Sequence, residues 1–310
     1  MPDTNIIELK GHTARTAVHS SGKAQIIFSL FFVGIGAFIV LISMGVIPVE
    51  PESFNAPRFI VGFTGGIFLV AGLMLLTSGI KSAWVAIHRK RLREMYPRES
   101  WRLDHVWSQE GTADSSVVTG WKTLSTALFF SLFMVPFNYW AFFSEHGNFF
   151  VTAITSLFDL IIFAVFCGGF YQIWRGIKYG ACCLRWEQFP YFLGDTFKAR
   201  FSSGRPIGQF NSMTITLRCI VNVEEVRGSG DDQSRQVICY QHYCDTIEFN
   251  QAGMTECWGE VPVTFVLPQG DYGTSFDGKQ PRYWELEINA DTPGIDFHAT
   301  FLVPVFSAQS

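Results

Sequence analysis

The chain lacks the short motifs that mark common enzyme classes. Its 310 residues contain no Gly-x-Ser-x-Gly elbow, no phosphate-cradling glycine loop ending in Lys-Ser or Lys-Thr, and no dinucleotide fingerprint. The turn Gly228-Ser229-Gly230 is followed by two acids, which would repel a phosphate. Charge is scarce as well, at 16% of residues. Neither its amount nor its placement forms a basic platform, so no nucleic-acid partner is expected.

Seven cysteines are spread over Cys167, Cys182, Cys183, Cys219, Cys239, Cys244 and Cys257. An odd number at irregular spacing excludes a simple disulfide framework and suits a reducing compartment for the C-terminal region. The residues from Met1 to Lys23 lack the basic start and small-residue cleavage site of a signal peptide, so the first apolar run is expected to be retained as an anchor.

What the chain has in excess is apolar sequence. Hydrophobic residues make up 48%, with 31 Phe, and the mean hydropathy is +0.20. The excess is gathered in four runs, Ala24 to Ile47, Phe59 to Ile80, Trp121 to Phe143 and Phe149 to Ile173, which together hold one acid, Asp159. At about 1.5 Å per residue such runs extend roughly 33 to 37 Å, enough for a hydrocarbon core of about 30 Å. The expectation is four transmembrane helices in two hairpins.

Between the hairpins, Lys81 to Lys122 carries eight basic and five acidic residues, whereas the region after Trp174 carries eleven basic and sixteen acidic. The hairpin loop Pro48 to Arg58 contains Glu50 and Glu52, and the loop Ser144 to Asn148 has no Lys or Arg. By the positive-inside rule the N-terminus, the 81–120 loop and the C-terminal region face the cytoplasm. The second helix is expected to continue past the membrane surface, because Ser82 to Met95 has no Pro or Gly. Its Arg89, Lys90, Arg91 and Arg93 would meet anionic lipid headgroups, each contributing about 1 kcal/mol near such a surface. Trp101 and Trp107 suit an interfacial position or a contact with the C-terminal domain.

Within the membrane, Gly62 and Gly66 give a small-xxx-small spacing for helix packing. Asp159 falls near mid-membrane, with Ser131 and Asn138 on one face of helix three at a similar depth. An intramembrane acid is a functional-site candidate. The alternative is an acid that ties helices three and four together through Ser131, Asn138 or Ser156.

From Leu193 onward the hydrophobic period becomes two. Ile215, Leu217, Cys219, Val221 and Val223 share one face, with Arg218, Ile220 and Asn222 opposite. Val261 to Leu267, Trp284 to Ala290 and Phe297 to Val305 alternate likewise, separated by Gly-rich and Pro-rich turns. This pattern predicts an all-β antiparallel sandwich. The resulting domain plan is 1–23 cytoplasmic, 24–80 hairpin one, 81–120 basic loop, 121–173 hairpin two, 174–192 juxtamembrane linker and 193–310 sandwich.

Possible chemistry in the sandwich is thin. Cys239, His242, Cys244 and Cys257 are the nearest thing to a metal set, but strand alternation separates Cys239 from the next two, and buried cysteines are the expected reading. Glu285 and Glu287 share a face and are expected on a solvated side of their strand. His298 is expected as a solitary surface histidine. No cofactor or metal is expected.

Two resemblances add to this reading. Tyr96 to Trp107, followed by the second hairpin, resembles a pattern in bacterial inner-membrane proteins. The strand Val261-Pro262-Val263-Thr264-Phe265-Val266-Leu267-Pro268, with Tyr283 to Ile288 and Phe297 to Phe306, is similar to the later strands of an arrestin-like sandwich of the Vps26 type. The resemblance implies a scaffold that binds protein partners. The expected role is therefore a membrane scaffold that touches lipids through its helices and a protein partner, or a second copy, through the sandwich. The alternative is a transport or channel component using Asp159.

Overall fold

In a computed structural model, residues 6–12, 14, 22–49, 57–95, 107–114, 116–143, 149–228, 233–250, 260–276 and 280–307 are described. The chain forms two units. One consists of His19–Glu94 and Val118–Ile173, the other of Met1–Val18, Met95–Val117 and Trp174–Ser310.

The helical unit is built on α1 (Lys23–Ser43), α2 (Arg58–Met95), α3 (Ser116–Phe143) and α4 (Phe149–Tyr179). All four are long and apolar enough to cross a membrane. Helix α2 runs 38 residues, well beyond its apolar run, because no helix breaker interrupts Ser82 to Met95. Large side chains point outward, with Phe149 90% exposed, and small residues lie at the contacts.

Those contacts follow a period of seven. A Cβ on Gly36 would lie 2.4 Å from the Leu69 nitrogen, one on Gly72 2.7 Å from the Val33 nitrogen, and one on Gly79 2.9 Å from the Ile26 side chain. Gly65, Gly72 and Gly79 on α2 thus meet the face of α1 that carries Gly22, Ser29, Gly36 and Ser43. Residues seven apart return to one face after two turns, which suits a long antiparallel seam. The second hairpin repeats the device: Gly120, Ala127, Met134 and Ala141 are buried on α3, and a Cβ on Gly120 would meet Ile173 at 2.7 Å. The four-residue spacing expected to mark the packing face gives half of a contact. Gly62 abuts Ser43, but nothing lies within 4 Å of a Cβ on Gly66. The face is set by the seven-residue repeat, and Gly66 turns away from it.

The β unit is a sandwich. Its larger sheet has the order β1-β7-β6-β9-β10, from β1 (Ile7–Glu8), β7 (Ser234–Asn250), β6 (Ser212–Arg227), β9 (Arg282–Ala290) and β10 (Phe297–Val303). The smaller has the order β2-β3-β5-β8, from β2 (Gly111–Ala113), β3 (Cys183–Trp186), β5 (Thr196–Ser202) and β8 (Glu260–Val266). Both sheets are antiparallel throughout. A short parallel pair joins β4 (Tyr191–Phe192) to β11 (Val305–Phe306). The inner faces supply one core, including Phe197, Phe201, Val263, Leu217, Trp284, Leu286 and Phe301.

Three separated stretches of chain build this sandwich. β1 comes from the N-terminal segment and β2 from the loop between the hairpins. The stretch 174–192 holds the last turn of α4 together with β3 and β4. In that turn Lys178 donates to the Ile295 carbonyl at 2.7 Å, while the buried Tyr179 donates to the same carbonyl and packs edge-on against Phe297 at 5.0 Å. The β9–β10 turn therefore supplies an acceptor to two side chains of the helix end, while Arg205 donates to the Ile177 and Tyr179 carbonyls that a helix end leaves without partners.

Candidate functional site

The outer face of the larger sheet departs most from the sequence reading. Alternation on β9 sends Trp284, Leu286 and Ile288 inward and Glu285 and Glu287 outward, yet Glu285 is 0% exposed. The solvated face expected there is covered. Arg218 stands directly opposite Glu285 in the β6–β9 register. Its guanidinium lies 2.8 Å from Glu285 Oε1 and 2.5 Å from Glu287 Oε2. His12 Nε2, from the N-terminal segment, approaches Glu285 Oε2 at 3.7 Å.

His298 also departs from expectation, since it is half-buried and has several partners. Its Nδ1 lies 2.6 Å from Asn289 Oδ1 and 3.4 Å from Glu287 Oε1, and its Nε2 lies 3.3 Å from Thr300 Oγ1. Burial holds the imidazole pKa below its ordinary value; Glu287 opposes that shift, and the Arg175 charge reinforces it. These opposed charges satisfy one another across β6, β9 and β10. Such an arrangement fixes a register and is costly to break.

Farther along β6, a bulge between Cys219 and Ile220 shifts the register with β7. Beyond it both faces are covered, so Ile220, Val221 and Asn222 are all buried. The outer side forms a small cluster of Ile220, Cys239, Phe276 and Tyr283, closed by Leu9, Ala14, Trp107 and Leu302. Trp107, expected at a lipid interface or against the C-terminal domain, takes the second place and sits edge-on to Phe306 at 6.4 Å. Trp101 lies outside the described residues.

The two sheets differ in how their edges are guarded. β8 borders the smaller sheet and carries Pro262, which has no N–H to offer, and Glu260, which pairs with Arg185 at 3.2 Å and Arg200 at 3.6 Å. Proline and charge are the usual means of blunting an edge. The 17-residue β7 is capped by β1 alone among the described residues, with Ile7 opposite Gln241 and Glu8 opposite Tyr240. Beyond the strand, the Leu9 N–H donates to the Cys239 carbonyl at 2.9 Å. Glu8 binds Arg227 through both carboxylate oxygens, at 3.2 and 2.9 Å. That guanidinium holds the Glu8 carboxyl below its ordinary pKa.

In the helical unit, Asn138 Nδ2 donates to Asp159 Oδ1 at 3.1 Å, tying α3 to α4. Ser131 lies half-buried on α3. A groove of about 530 Å³ runs along the same hairpin, lined mainly by aromatic and aliphatic groups such as Phe130, Phe133, Phe137, Phe158 and Ile161. Lys90 and Arg91 are exposed on the extension of α2, which also carries Arg89 and Arg93.

Six cysteines are free thiols among the described residues, and Cys257 lies outside them. Burial pushes the Cys182 and Cys219 thiols up to about 12, so neither is poised as a nucleophile. Cys239 Sγ lies 3.4 Å from Asn222 Oδ1. No group of three or more His, Cys, Asp or Glu among the described residues is placed to hold a metal ion.

No family model and no curated protein matches the chain. Among solved structures, Spo0M, a sporulation control protein from Bacillus subtilis, aligns at 18% identity over 41% of this chain and 49% of its own, with a TM-score of 0.26. The chain thus spans about half the length of that structure, a likeness too distant to bear on function.

Proposed function

We propose that the chain is an integral-membrane scaffold whose helices hold an arrestin-like β-sandwich at the cytoplasmic face of a bacterial inner membrane, where the sandwich recruits a protein partner. The observation that carries this reading is the pairing of two surfaces. Four long helices turn phenylalanine and isoleucine outward, and the sandwich offers a long edge strand, β7, with a two-residue cap. Outward apolar side chains suit hydrocarbon, and an accessible strand edge binds a polypeptide through its backbone without any catalytic group. The basic stretch Lys81 to Lys122 favours the cytoplasmic side for the N-terminus, the loop and the sandwich. The bond from Asn138 to Asp159 supports a structural role for the acid, which favours the scaffold over a transport path.

The test is purification of the intact chain from its native membrane in mild detergent, beside a chain ending at Cys183. Partners that accompany the intact chain and vanish with the sandwich are the expected result. An intact chain that arrives alone as a uniform homo-oligomer would contradict recruitment.

A further inference from the structure

The N-terminal segment already occupies the β7 edge, and its contacts describe what that edge accepts. The segment runs antiparallel to β7 and is anchored at four points. Ile7 and Glu8 supply the strand pairing, and the Glu8 carboxylate takes both arms of Arg227. Leu9 packs on the cluster formed by Ile220, Cys239, Phe276 and Tyr283, and His12 stands over Glu285. Backbone pairing supplies affinity in such an arrangement, and the side chains beside it supply selectivity.

The anchorage is short for the surface it covers. The strand is two residues long on a partner of 17, and the Arg227–Glu8 pair is partly exposed, with side chains 44% and 32% accessible. Exposed ion pairs contribute little net stability. A segment held in this way is displaced by a competing strand more readily than any strand of the sandwich interior.

Resting on the recruitment role above, we propose that the β7 edge, with Arg227 and the Leu9 pocket, is the partner-binding site of the sandwich, and that the segment from Ile6 to His12 is its resident occupant. The partner it fits is an extended segment of another protein carrying an acid followed directly by leucine or a similar aliphatic residue. The acid meets Arg227, the aliphatic side chain enters the pocket, and the backbone pairs with Cys239 to Gln241. While the tethered segment is in place it competes at an effective concentration on the order of millimolar, so partners with weaker pairing are excluded.

The test uses the full chain in detergent micelles and a fluorescent peptide with the sequence of residues 6–14. The native chain is expected to bind it weakly, and the chain carrying Glu8→Arg and Leu9→Asp at least about tenfold more tightly, because the tethered competitor is gone. Adding Arg227→Ala to that chain should weaken peptide binding several-fold, because the peptide's acid loses its guanidinium. Equal binding by the native and the disabled chain, or none by either, would overturn the proposal. A second reading needs no substitution: hydrogen exchange of the native chain with excess peptide. Loss of protection at the Leu9 N–H, with β7 still protected, is expected, and a Leu9 amide that stays protected while peptide is bound would contradict displacement. Failure here is separable from failure of recruitment. Partners that still accompany the intact chain and vanish with the sandwich would place recruitment at another surface.

Discussion

The helical unit and the β unit use the same residue types in opposite positions. In the sandwich, Trp284, Phe197 and Phe301 lie inside, and charged or polar residues such as Lys198 and Arg200 line the outer face of β5. In the helices, phenylalanine and isoleucine lie outside, and Gly36, Ser29, Gly120 and Ala127 form the contacts. The contrast follows from the solvent each arrangement suits. In water, burial of apolar area contributes about 25 cal/mol per Å² and drives large side chains inward. In hydrocarbon that drive between helices is absent, and close backbone approach through small residues takes its place.

The largest effect expected from testing this contrast lies in the sandwich. Arg218→Met leaves the buried Glu285 carboxylate without its guanidinium, and should destabilise the β unit by about 3–5 kcal/mol. Chemical denaturation followed by near-ultraviolet circular dichroism would measure it, and an unchanged midpoint would contradict the burial of Glu285. Next comes the helical seam. Gly36→Val places new atoms against the Leu69 backbone and should cost about 1–3 kcal/mol, read as a lower melting point of the helices in micelles. Gly66→Ala is the control and should be nearly silent, because no atom lies within 4 Å of the added Cβ.

A smaller effect is expected at Asp159. Asp159→Leu removes the bond from Asn138 and should cost about 0.6 kcal/mol, the average for polar contacts between membrane helices. Asp159→Asn should be close to native, and loss of biological function in that variant at normal expression would favour transport. The least effect comes from pH. Burial lowers the pKa of His242 and His298 below 6.5, so the unfolded chain binds protons that the folded one refuses. Their contribution is complete above 6.5 and declines as pH falls toward the depressed values. Melting temperature should therefore drop between about pH 7.5 and 5.5, and His298→Gln should flatten part of that slope.

The sequence carried the periodic elements plainly. Runs of 22 or more apolar residues and the alternation in β6, β8, β9 and β10 are local patterns, and the structure has helices and strands there. β1 and β2 were missed because two or three residues carry no period, and they become strands through neighbours far away in the chain. For the same reason Glu285 and His298 were misread. Alternation places them on the outer face, but His12 reaches Glu285 from the distant N-terminal segment, and Asn289, Glu287 and Thr300 take up the His298 ring. The helical seam was legible in principle. Gly65, Gly72 and Gly79 repeat every seven residues, as do Gly22, Ser29, Gly36 and Ser43, and a search for four-residue spacing passes over them.

The account depends most on four helices lying in a bilayer with the β unit on its cytoplasmic side. Protease digestion of sealed membrane vesicles of both orientations, followed by alkaline extraction, tests this most directly. The predicted result is loss of the sandwich only where the cytoplasmic face points outward, with the helices retained in the extracted membrane. A sandwich cut from the opposite face, or a chain washed off by alkali, would contradict it.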